Sequence, residues 1–93
     1  MQDLEFEWDD DKADENRRKH GVDFEDAVGV FFDPWAVERT DDREYGEDRF
    51  QIIGLAQGRV LFVVYAERQG RIRLICARRA TKHERRTHEN ARS

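Results

Sequence analysis

The stretch from Val60 to Glu67 limits what this chain can become. It is apolar on both alternating faces, with Val60, Phe62, Val64 and Ala66 on one and Leu61, Val63 and Tyr65 on the other. A strand whose two faces both need cover belongs in the middle of a sheet. The turn Glu67-Arg68-Gln69-Gly70-Arg71 follows, and Gly70 can take the positive φ that a tight hairpin needs. Arg71 to Arg78 reads as the partner strand. Strict alternation puts Ile72, Leu74 and Cys76 on one face and Arg71, Arg73, Ile75 and Ala77 on the other. The apolar centre therefore lies beside a row of arginines.

The other elements fall into place around this hairpin. Leu4, Phe6 and Trp8 alternate with acidic residues over 3–8, as in a half-buried strand. Asp9 is placed to cap a helix ending at His20, acidic in its first turn, basic in its last and stopped by Gly21. That helix has almost no apolar stripe, so the face carrying Lys12, Asn16, Lys19 and His20 is either solvated or functional. Asp23 is predicted to cap a second helix with Phe24, Ala27, Val28 and Phe31 facing the core. Asp33-Pro34 ends it. Strands are expected over 35–40 and 49–55, joined by a polar loop at 41–48, with a bulge at Gly54. Phe32 and Trp35 read as core, or, if exposed, as a partner-docking edge. Thr81 and Glu84 form a capping box for a last helix with no apolar face, which must be held by charge, held by a partner, or mobile. The order β-α-α-β-β-β-β-α describes one α+β domain over 1–93, a mainly antiparallel sheet with two helices over one face.

Charge divides along the chain. Residues 1–48 carry 18 acidic against 6 basic side chains, and residues 49–93 carry 11 basic against 3 acidic. A basic second half suits a polyanion such as RNA, although the halves can also simply screen each other. One cysteine allows no internal disulfide or Cys-based zinc site. No apolar run is long enough to span a bilayer and the start of the chain is acidic, so a cytoplasmic protein away from the membrane is expected.

Motif chemistry is sparse. His83 and His88 are five apart on a helix and point away from each other, so no metal or other cofactor is expected. Cys76 reads as a buried, inert thiol. What remains is Arg68, Arg71, Arg73, Arg78, Arg79, Arg85 and Arg86, with Glu67, Lys19 and His20. Arginine offers phosphate a planar, permanently charged fork. Several such forks can stabilise a pentacoordinate transition state while a carboxylate or imidazole moves protons. RNA permits this without a metal, since its 2′-hydroxyl can attack the adjacent phosphate. Each residue also has a plainer reading. Lys19 and His20 suit a helix C-terminus, Glu67 can pair with Arg71 or Arg73, and an arginine-rich sheet face can serve binding alone.

The blocks Phe6-x-Trp8-Asp9-x-x-Lys12, Asn16-x-x-Lys19-His20-Gly21-Val22-x-Phe24-x-x-Ala27, Phe32-Asp33-Pro34, Asp48-Arg49, Ile53-Gly54 and Arg73-x-Ile75-Cys76-Ala77-Arg78-x-Ala80-Thr81-x-x-Glu84-Arg85 resemble the BrnT family of toxins. The resemblance covers nearly the whole chain. It implies a RelE-like fold and a metal-independent endoribonuclease of a type II toxin–antitoxin module that cleaves RNA and arrests translation. It also implies a BrnA-type antitoxin with a ribbon-helix-helix domain, contact with operator DNA only through the complex, and a toxin–antitoxin heterotetramer as one assembly. On this pattern His20, Glu67, Arg68, Arg73 and Arg78 are the catalytic candidates, with Arg73, Arg78 and Arg68 on the scissile phosphate, Glu67 or His20 as base, and His20 or an arginine as the acid-side group. Lys19, Arg71, Arg79, Arg85 and Arg86 are candidates for RNA binding. Two positions depart from the family: Cys76 where it has Ser, and His88 where it has Tyr. His88 either loosens the last helix or substitutes as a proton donor. The alternative reading is a non-catalytic nucleic-acid-binding or partner-docking module using the same basic face.

Overall fold

The computed structural model describes residues 4–41 and 48–93. In chain order it holds β1 (Phe6–Glu7), α1 (Asp10–His20), α2 (Phe24–Ala27) running into a 3-10 turn (Val28–Phe32), β2 (Val37–Asp41), β3 (Arg49–Ala56), β4 (Arg59–Arg68), β5 (Arg71–Arg79) and α3 (Lys82–Arg92). The strands form one sheet in the order β1-β5-β4-β3-β2, so β4 is central, as its two apolar faces demand. Every pairing is antiparallel except the short one between β1 and β5, where Phe6 lies beside Ile72 and Glu7 beside Arg73. The first strand is shorter than the alternation over 3–8 suggests; residues 1–3 and most of the expected 41–48 loop lie outside the described residues.

The core lies on one face of the sheet. Ile52, Leu61, Val63, Tyr65, Leu74 and Ala77 pack there against Ala13 of α1, Val22, Phe24 and Ala27 of α2, and Val30 of the 3-10 turn. The second helix is shorter than expected. Beyond Ala27 the chain tightens to 3-10 geometry, which buries Val30 completely and leaves Val28 and Phe31 only partly covered. Asp23 holds the N-cap position without a side-chain cap bond, because its carboxylate pairs with Arg17 of α1 instead. Gly54 makes no bulge, since β3 and β4 stay in register from Arg49–Ala66 to Ala56–Arg59. Its role is clearance. A Cβ there would stand 3.0 Å from both the Cβ and the carbonyl oxygen of Val30.

The irregularity falls instead between β4 and β5, at Val64/Tyr65. Leu74 pairs with Tyr65 and Cys76 with Val64, leaving Ile75 as the extra residue. This corrects the simple alternation. Ala77 joins Ile72 and Leu74 on the core face, and Cys76 moves with Ile75 to the opposite face beside Ile53, Phe62 and Val64. Arg71, Arg73 and Arg78, by their partners Arg68, Ala66 and Phe62, share that opposite face.

Two polar anchors complete the fold. Among the described residues β1 pairs only with Ile72 and Arg73, and no strand covers the outer edge of β5 farther on. Asn16 of α1 fills part of that edge as a strand would. Its Oδ1 accepts from Ala77 N at 3.0 Å, its Nδ2 donates to Ala77 O at 2.8 Å, and Nδ2 also donates to Val22 O at 3.0 Å. The last helix, which has no apolar face, is held by charge. Thr81 and Glu84 complete the capping box, Glu84 takes a two-pronged bond from Arg78, and His88 Nε2 lies 2.7 Å from Asp33 Oδ2, both side chains nearly fully buried. His88 thus fastens the helix. Phe32 and Trp35 are exposed, and the Trp35 ring lies 5.6 Å from the Arg92 guanidinium.

Candidate functional site

Opposite the core, the register sets three rows across the sheet. Asp41, Arg49, Ala66 and Arg73 form one, continued by Glu7 on β1; Arg39, Gln51, Val64 and Cys76 form the next; Val37, Ile53, Phe62 and Arg78 form the third. Over the last two rows lies a groove of about 470 Å³, bounded by Arg39, Arg49, Gln51, Phe62, Arg78 and Glu84 and floored by Val64, Ile75 and Cys76. A second hollow of about 230 Å³ shares Ile75 and Cys76 and is walled by Lys12, Glu15, Asn16, Lys19 and His20 of α1. Ile75 and Cys76 line both, so the two hollows adjoin at the bulge and together make a trough. One wall is the basic end of α1 and the other is the arginine face of the sheet. Six of the side chains lining it are basic or imidazole and two are acidic. Such a channel concentrates positive potential where a polyanion would lie.

The bulge builds this place. Without the extra residue Cys76 would point into the core. With it, Ile75 and Cys76 form an apolar floor between the two cationic walls. Burial pushes the Cys76 thiol up, outweighing the opposite pull of Arg78 and Lys19, so the thiol is neutral and acts as floor.

Arg78 is held in place on three sides. Its guanidinium carbon sits 4.0 Å above the centre of the Phe62 ring. Nη1 donates to Glu84 Oε1 at 2.8 Å and to the carbonyl of Arg79 at 3.1 Å, while Nη2 donates to Glu84 Oε2 at 3.0 Å. Burial of the Glu84 carboxyl works against its ionisation, but the Arg78 bonds and the Thr81 N–H outweigh it and hold Glu84 below the usual carboxylate range. At the other end of β5, Arg73 pairs with Glu7 at 3.2 Å and Arg71 with Glu5 at 3.1 Å. Because Ile75 is the extra residue, Arg73 and Arg78 lie beside Ala66 and Phe62, four residues apart, or roughly 13 Å along the strand at about 3.3 Å per residue, so they suit separate groups of an extended ligand.

The remaining candidates divide by location. His20 and Lys19 line the α1 wall, Lys19 bridged to Glu15 at 2.8 Å. Arg68 lies at the hairpin end on the same face as Arg71, its register partner. Glu67 pairs with Ile72, which packs on the core, so the register puts Glu67 on the opposite face from Arg73 and Arg78. Arg79, beside Leu61, is likewise turned to the core side of the sheet. Arg85 donates to the Ala80 carbonyl at 3.1 Å, and Arg86 is exposed on α3. Sequence reasoning missed Arg39 and Gln51, which only cross-strand register places in the row of Cys76, and Arg49, which it places in the row of Arg73. It also missed Glu84 beyond its capping role; its position six residues after Arg78 was the one signal available.

A family model described as "Ribonuclease toxin, BrnT, of type II toxin-antitoxin system" matches residues 8–84. The matched span contains every side chain lining the trough and ends before Arg85, Arg86 and His88. No curated protein matches the chain.

Proposed function

The chain belongs to the BrnT family of ribonuclease toxins of type II toxin–antitoxin systems, and from that premise we propose a RelE-like endoribonuclease that cuts RNA without a metal ion and so arrests translation. The observation that carries the proposal is the trough, in which an anchored arginine lines one hollow, a histidine and two lysines line the adjoining one, and Ile75 and Cys76 line both.

An RNA strand lies along the trough with its scissile phosphate at Arg78. The 2′-hydroxyl attacks the adjacent phosphorus, the bond to the 5′-oxygen breaks, and a 2′,3′-cyclic phosphate and a 5′-hydroxyl result. Arg78 stabilises the charge that builds on the equatorial oxygens. His20 takes the proton from the 2′-hydroxyl, and solvent returns one to the departing oxygen. Lys12 and Lys19 hold phosphates on the α1 side, and Arg73, Arg71 and Arg68 hold those farther along the sheet. Glu67 is on the other face, so proton transfer is given to His20. Arg79, Arg85 and Arg86 add to the positive field around the site.

A type II module pairs the toxin with an antitoxin. We assign that role to a BrnA-type protein whose acidic segment fills the trough and whose ribbon-helix-helix domain carries the pair, as a heterotetramer, to operator DNA. The test is incubation of the purified chain with a structured RNA in EDTA beside Arg78→Ala. Cleavage to cyclic or 3′-phosphate ends, lost in the variant, supports the reading. Salt-sensitive binding without cleavage, with and without ribosomes, would replace it with a binding module.

A further inference from the structure

Glu84 carries a role that nothing so far assigns. An arginine side chain has five N–H donors in a fixed plane, arranged as an end-on fork of Nη1 and Nη2 and a side-on fork of Nε and Nη2. In Arg78 the end-on fork is spent on Glu84, at 2.8 and 3.0 Å, and the second hydrogen of Nη1 goes to the Arg79 carbonyl at 3.1 Å. Three donors are thereby used. The two left, on Nε and Nη2, are parallel and form a complete second fork. The plane itself is fixed by the Phe62 ring 4.0 Å away.

We propose that Glu84 is a positioning residue for RNA cleavage: it holds Arg78 by one fork so that the other, side-on fork is presented to the scissile phosphate. This rests on the ribonuclease reading above and deepens it. The carboxylate is suited to the task. Its own backbone N–H is bonded by Thr81 Oγ1 at 3.2 Å, and its Oε1 also accepts from Thr81 N at 2.8 Å. Only 10% of its side chain is exposed. A guanidinium set in advance loses little freedom when it meets the transition state, whereas a free one must be ordered during the reaction. The same contact explains why the capping box of α3 stands next to the trough: the start of the helix is also the brace of the arginine.

The test compares wild type, Glu84→Gln, Thr81→Ala and Arg78→Ala in RNA cleavage and in thermal melting. Glutamine keeps the size and one acceptor oxygen but cannot accept both Arg78 bonds. Its expected effect is a fall in kcat of about 10- to 100-fold with KM changed less than about threefold. Thr81→Ala removes the Oγ1 bond to the Glu84 N–H but leaves both Glu84 oxygens on Arg78, so its kcat is expected to fall clearly less than that of Glu84→Gln. Arg78→Ala leaves a guanidinium-sized space between Glu84 and Phe62. Added guanidinium ion should restore part of its cleavage where ammonium does not, and the rescue should vanish in Arg78→Ala/Glu84→Gln. Wild-type kcat in Glu84→Gln, an equal loss in Thr81→Ala, or rescue that ignores Glu84 overturns the positioning role while leaving the ribonuclease reading intact. If Glu84→Gln does not fold, the Arg78→Ala arm decides alone, and failure of guanidinium to rescue it counts against the proposal. Absence of cleavage by wild type, with ribosomes present, overturns the ribonuclease reading and this one together.

Discussion

Replacing Asn16 with leucine is expected to destabilise the protein by about 3 kcal/mol, at a net value of about 1 kcal/mol for each of three buried hydrogen bonds. The side chain is 5% exposed. It serves Ala77 N, Ala77 O and Val22 O at 2.8–3.0 Å. Leucine matches asparagine in size but offers no polar atom and leaves little room for water, so all three backbone groups lose this partner. At about 4–8 °C per kcal/mol for a domain of this size, the melting temperature should fall by more than about 10 °C. Urea denaturation followed by circular dichroism gives the free energy directly, and an unchanged m-value confirms that the folded state is what lost stability. Activity should suffer too, because the same bonds hold the α1 wall of the trough against β5. A loss below about 1 kcal/mol would refute the argument that Asn16 substitutes for a missing strand.

Gly54→Ala should destabilise by about 1–3 kcal/mol, read by the same denaturation, because the new Cβ forces Val30 and the 3-10 turn away from β3. His88→Ala should cost about 2 kcal/mol, as for losing a buried hydrogen bond to a carboxylate, and should speed amide exchange in α3 before the rest of the chain. Acid should unfold the protein through Asp33 and Glu84. Burial opposes ionisation of Asp33, but the N–H groups of Leu55 and Trp35 and the His88 ring overcome it, and both carboxyls lie below their ordinary values. Depressed native values mean that their contribution is complete above about pH 5 and disappears as the pH falls through those lowered values. Melting temperature should therefore drop steeply below about pH 4 in wild type and less steeply in Glu84→Gln.

How far the chain could be read in advance depended on whether the signal was local. The central place of β4 follows from its own two apolar faces, and the ends of α1 and the start of α3 follow from Asp9, Gly21, Thr81 and Glu84. These are properties of a few consecutive residues. The bulge at Ile75 is a property of two strands together. Alternation along β5 alone therefore assigned Cys76 to the core and Ala77 to the opposite face, the reverse of what pairing with Val64 and Val63 imposes. Asn16 was one polar residue on a polar helix until the bare edge of β5 gave it a task. The hold on α3 escaped for the same reason. Glu84 and His88 are buried by partners six and fifty-five residues away, and a helix with no apolar stripe gives no sign of that. The basic candidates were legible as a group, but which face each arginine takes, and the separation of Glu67 from Arg73 and Arg78, needed the register.

The most direct test of the account is Arg78→Lys, measured for RNA cleavage in EDTA and for RNA affinity as a function of salt. Lysine keeps the charge and loses both forks. Cleavage should fall by about 100-fold or more while affinity and its salt dependence stay close to wild type. Cleavage that survives the change would show that Arg78 supplies only positive charge, and would contradict the claim that an anchored guanidinium in this trough carries the chemistry.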